Sequence, residues 1–171
     1  PWDGEAGLLN STKAKASGIW ECEIDVPEAT GEDDHYIWAR DISTGDTAND
    51  GPVTMNPSIE FDPSAGLVGD DVELIGHGFA AEVDVVTVEY WNGAAYVPLD
   101  ISPSTPETTE LGRWTADFEL PNLAFGDYEV VATDDDAYSA NEDFTIGASI
   151  TLDIDEGPVG TRVEISGSGF D

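Results

Sequence analysis

The sequence predicts an all-β fold, an antiparallel sandwich repeated in tandem. Apolar and polar residues alternate with period two in several short segments, which turns one strand face to a core and the other to water. No segment keeps a 3.6-residue apolar period, so no amphipathic helix is expected. The chain also repeats itself. Residues 58–80 and 149–171 align without a gap at an offset of 91, with 11 of 23 positions identical. A period of that length matches one small β-sandwich.

The repeat divides the 171 residues into three parts: 1–57, the late part of one unit; 58–148, a whole unit; and 149–171, the early strands of a further unit. In the first part, Trp20, Cys22, Ile24 and Val26 alternate with Glu21, Glu23 and Asp25, which predicts a strand over 20–26. Residues 36–40 read as another. The whole unit opens with two short strands around Gly66-Leu-Val-Gly69. Residues 83–90, rich in β-branched and aromatic side chains, predict the next strand. Residues 102–110, SPSTPETTE, have the composition of a loop. Trp114, Ala116, Phe118 and Leu120 then alternate with Thr115, Asp117 and Glu119 in a strand ended by Pro121, since proline cannot donate to a ladder. Residues 128–132 predict one more. The third part copies 58–80, and 18–27 copies 112–121 with Gly, Trp and Pro in register. Trp2-Asp3-Gly4 also resembles Trp91-Asn92-Gly93. Only the counterpart of 81–89 is missing from the two partial units.

These residues carry a resemblance. Ile59 through Pro63, Gly66, Gly69, Val72, Gly76, Gly78 and Phe79, with their second copy, resemble the opening of IPT/TIG-type immunoglobulin-like domains. Gly112, Trp114, Pro121, Gly126, Tyr128 and Ala132 resemble the second half of such domains. In the second copy Ile154 replaces Pro63. The resemblance implies tandem immunoglobulin-like sandwiches of archaeal or bacterial surface and secreted proteins. Fold alone does not set function.

Composition narrows the function. There are 37 Asp+Glu against 5 Lys+Arg, a formal net charge of −32. Such a surface repels phosphate backbones and anionic membranes, so neither nucleic acid nor a lipid surface is an expected partner. No apolar run approaches the roughly 18 residues of a membrane span. The excess of acid is spread over all three parts, and salt or divalent cations would screen its self-repulsion. One cysteine, Cys22, allows no internal disulfide framework, and its repeat partner Ala116 marks it as a small core residue. The chain begins Pro1-Trp2, without an initiator Met, and reads as a processed form or an excerpt.

The residues that could carry chemistry are few. Gly76-His77-Gly78-Phe79 lacks the helix and third glycine of a dinucleotide loop, and a strand bulge with a buried Phe accounts for it better. His35 and His77 have no counterparts in the repeat, and no G-x-S-x-G elbow exists, so a nucleophilic triad is not expected. The many carboxylates fall on outward strand faces and in loops rather than in a cleft, which argues against a glycosidase pair. Asp134-Asp135-Asp136 is the candidate calcium ligand set, because hard oxygen ligands clustered on a loop suit that ion. A solvated acidic surface holding cations loosely is the competing reading. Asn10-Ser11-Thr12 is the acceptable N-glycosylation sequon, and 102–110 could carry O-linked sugar. Trp2, Tyr90, Trp91 and Tyr96 are the candidate sugar platform, against a role in edge packing.

The expectation is therefore a non-enzymatic extracellular structural protein, a tandem-repeat segment of a cell-surface array, surface layer or filament. It needs no cofactor beyond loosely held calcium or other cations. Its partners would be copies of itself or adjacent repeats, with strand sharing between subunits as one route and a longer array as the other. The alternative is an adhesin or carbohydrate-binding accessory module.

Overall fold

A computed structural model describes residues 8–170. Twelve strands run in order: β1 His35–Arg40, β2 Thr47–Val53, β3 Ser58–Asp62, β4 Ala65–Leu67, β5 Asp71–His77, β6 Val85–Trp91, β7 Tyr96–Pro98, β8 Trp114–Glu119, β9 Gly126–Asp134, β10 Ser139–Gly147, β11 Ser149–Leu152 and β12 Ile165–Ser168. No helix occurs among the described residues.

Residues 58–147 form a sandwich. One sheet has the order β3-β5-β8, the other β4-β10-β9-β6-β7. All pairings are antiparallel except β4 with β10. The chain changes sheets between β3 and β4 at Pro63, whose peptide bond with Asp62 is cis. The proline ends the β3 ladder because it has no N–H to give.

The alternation seen in the sequence builds the core. Ile59, Phe61, Val72, Leu74, Trp114, Ala116 and Phe118 from the first sheet meet Val88, Val130, Ala132, Phe144 and Ile146 from the second. Phe61, Phe118 and Phe144 pack edge to face across the two sheets, with centroids 5.3–6.2 Å apart. Each such ring contributes about 1.5–3 kcal/mol through burial, and each pair about 0.5–1.5 kcal/mol more. Gly76 faces Trp114 across the β5–β8 ladder. A Cβ at Gly76 would lie 2.0 Å from the indole nitrogen, so the missing side chain makes the space for the ring. The loop 102–110 is pinned rather than free: buried Thr108 accepts the Val83 N–H through Oγ1 and donates to the Val83 carbonyl.

Two points differ from the sequence reading. Gly76–Phe79 holds no bulge: the β3–β5 register runs unbroken to His77, and Gly78 turns the chain at the strand end with φ +69°. Phe79 is buried as expected. Residues 20–26 form no strand. Their copy β8 lies against β5 and packs under a second sheet, whereas 20–26 have neither neighbour. A single strand without a ladder or a covered face does not hold itself together in water. Cys22, expected in a core, is only partly covered there.

Outside the sandwich stand two hairpins. β1 pairs with β2, and β11 pairs with β12.

Candidate functional site

The acidic loop Asp134–Asp136 ends β9. Asp134 is almost wholly buried, while Asp135 and Asp136 face solvent. The Asp134 carboxylate accepts three backbone N–H groups, from Ala80 at 2.9 Å, Asp136 at 3.0 Å and Tyr138 at 2.9 Å. Those bonds compensate its desolvation and tie the β9–β10 turn to the end of β5. Its oxygens are thus engaged by the protein itself. Among the described residues no group of three His, Cys, Asp or Glu side chains converges on a metal-sized space.

The aromatic candidates separate. Trp91 and Tyr96 are exposed side by side on the β6–β7 hairpin, with centroids 5.2 Å apart at 60°. The Tyr96 hydroxyl donates to the Glu129 carboxylate, and that bond holds its pKa above the usual tyrosine value. Tyr90 instead packs on the core beside Tyr128, and Trp2 lies outside the described residues. His35 is buried with Nε2 2.9 Å from the Thr30 carbonyl. His77 sits between Glu28, 3.0 Å from Nδ1, and Glu60, 3.5 Å from Nε2. Asn10 is exposed, with its amide nitrogen donating to the Glu23 carbonyl. In 102–110, Ser102, Ser104, Thr105 and Thr109 face solvent but Thr108 does not.

The most unusual surface is the β11–β12 hairpin. Its side chains repeat those of β3 and β5, yet their environment is reversed. Ile59 is 4% exposed and its copy Ile150 64%; Leu74 is 0% exposed and Ile165 66%; Phe79 is 0% exposed and Phe170 61%. Leu152 and Val163 are uncovered as well. Contiguous exposed apolar patches above a few hundred Å² are uncommon on monomeric proteins and often belong to contact faces. Residues 20–38 show the same reversal: Trp20, copy of buried Trp114, is half exposed, and Val26 and Trp38 are uncovered too.

Periodicity could not reveal two further features. Tyr128 lies near the start of β9, and its hydroxyl donates to the Ala124 carbonyl at 2.9 Å, fixing the corner before the strand. The only signal in the sequence was its spacing after Pro121 and Gly126. The other is that the exposed copies are identical in type to the buried ones, so composition could not tell them apart.

A comparison with known proteins found no family model that matches this chain and no curated protein that matches its sequence.

Proposed function

We propose that the chain is a segment of a non-enzymatic extracellular structural protein made of tandem immunoglobulin-like units. The sheet order β3-β5-β8 against β4-β10-β9-β6-β7 supports the immunoglobulin-like reading, and so does the hydrogen bond from Tyr128 to a carbonyl four residues upstream. The IPT/TIG-like pattern points the same way. The acidic surface suits salty or cation-rich surroundings.

One observation carries the assembly part of the proposal: the same apolar pattern is buried in β3–β5 and bare in β11–β12. Strands with the residue pattern of 18–53 would cover the bare face, and a neighbouring copy is one source of that pattern. In the whole unit, Trp114 of β8 lies on Gly76 of β5. Gly167 stands where Gly76 does and Trp20 where Trp114 does, so Trp20 of one copy fits on Gly167 of the next. The position of β6 stays empty in the shared sandwich, which leaves one side of β1 open. Sedimentation velocity in molar salt tests this. Oligomers that grow with concentration, and that Trp20→Ala dissolves, are expected. A monomer at every concentration contradicts strand sharing.

A second reading has its own observation, the exposed Trp91–Tyr96 pair beside Glu129. Aromatic faces next to a carboxylate are the elements of a sugar platform. Glycan binding that Trp91→Ala abolishes, with folding intact, would favour an adhesin or accessory module.

A further inference from the structure

The contacts at the two boundaries between units repeat. At the first, the linker Thr54–Pro57 joins β2 to β3. Gly78, with φ +69°, lies against the end of that linker, one step beyond the Ser58–His77 pair that closes the β3–β5 ladder: a Cβ there would stand 3.0 Å from the Asn56 carbonyl oxygen. At the second, Ala148 joins β10 to β11. Gly169, with φ +72°, lies against this linker in the same way, where a Cβ would stand 2.5 Å from the Gly147 carbonyl oxygen. Asn56 and Gly147 are themselves repeat partners, 91 residues apart like Gly78 and Gly169.

A second contact recurs beside the first. The residue four places after Pro27, and after its copy Pro121, donates its N–H to this turn. After Pro27 the donor is Gly31, and its acceptor is the Phe79 carbonyl at 3.4 Å. After Pro121 the donor is Phe125, and its acceptor is the Gly169 carbonyl at 2.7 Å. The acceptors differ by one position in the repeat, but the loop and turn that meet are the same. The first boundary is tied further by side chains. Glu28 bonds His77, Glu32 accepts the Ala81 N–H at 2.8 Å, and Ala29 and Thr30, between the two glutamates in sequence, are buried. Where Glu28 faces His77, the second boundary has Asn122 and Ser168 at the corresponding positions.

We propose that the G-x-G-F turn is a clasp between consecutive units, which holds each unit at a fixed orientation on the next. The first glycine of the motif makes room for Trp114 inside the unit. The second serves the boundary: it takes the left-handed backbone that L side chains resist and lets the linker pass at contact distance. The partner of this surface is the preceding copy of the repeat, through its linker and its post-proline loop. The clasp deepens the tandem-array reading, because an array of clasped units is a stiff rod with a regular turn every 91 residues.

Pulsed electron spin resonance on the full chain tests it. Ala48 on β2 and Ala94 on the β6–β7 turn are both exposed and become cysteines for spin labels, in a background of Cys22→Ala. Labelled chains are diluted in unlabelled ones so that only distances within a chain are read. The clasp predicts one narrow distance distribution. It also predicts loss of that narrow peak in Gly78→Val and in the double variant Glu28→Ala, Glu32→Ala, whose replacements lie on the surface and leave the sandwich core untouched. A broad distribution in the parent chain overturns the clasp, and so does a narrow one that survives both variants. Neither result bears on strand sharing, which sedimentation reads separately.

Discussion

Leu74 and Ile165 occupy the same position in the repeat, and the account assigns them opposite energetics. Leu74 is fully buried between the two sheets, opposite Ala116 on β8. Truncating it to Ala removes three carbons from a packed core and leaves a cavity, at a cost of about 3 kcal/mol within the usual 2–5 kcal/mol range. For a unit of about 90 residues, 1 kcal/mol moves the melting temperature by roughly 4–8 °C, so Leu74→Ala lowers it by about 12–24 °C. Ile165 is 66% exposed on β12. In dilute solution Ile165→Ala removes surface that was already wet, and the change stays within about 0.5 kcal/mol. The assay is thermal unfolding of the full chain at low concentration, followed by far-ultraviolet circular dichroism. Comparable losses from the two substitutions would refute the reasoning, because they would mean that β11–β12 is already packed in the single chain.

Two other predictions come from the charged groups. Asp134→Ala removes the acceptor for three backbone N–H groups at a buried site, which costs about 2–4 kcal/mol. The loss is the same in calcium and in EDTA, and a loss confined to calcium-containing buffer would make Asp134 a metal ligand instead. With a net charge of −32, raising salt from 0.01 M to 1 M shortens the screening length from about 30 Å to about 3 Å. The melting temperature rises over that range, and a flat or falling profile contradicts a self-repelling acidic surface.

Most of the sandwich could be read from alternation. Trp114, Ala116 and Phe118 turn inward as their spacing requires, all but the first two residues of 83–90 fall in β6, and 128–132 fall in β9. The same reasoning failed at 20–26. Period two reports which face a strand would bury; it does not report whether a neighbouring strand is there to bury it. The residue pattern of 149–171 likewise describes a core face, and β11–β12 presents that face to solvent. The acidic run at 134–136 shows something else. Its composition suggested cation ligands, but Asp134 is inward and its oxygens serve the β9–β10 turn. A side chain's direction at a strand end depends on the turn that follows, which Asp-Asp-Asp leaves open. Gly78 was read only as part of a strand bulge, because the linker it touches lies more than twenty positions earlier.

The one native thiol offers the most direct test of strand sharing. Cys22 is the copy of Ala116, Ile165 is the copy of Leu74, and Leu74 and Ala116 face each other in the β5–β8 register. In a shared sandwich, Cys22 of one chain therefore lies opposite residue 165 of the next, with Cβ atoms about 4.5–5.5 Å apart, within reach of a disulfide after small shifts. Under mild oxidation Ile165→Cys should give a ladder of covalent oligomers on a non-reducing gel, while Ser166→Cys, on the opposite strand face, should not. Ile165→Cys that stays uncrosslinked, or that closes only within its own chain, would contradict assembly by shared strands.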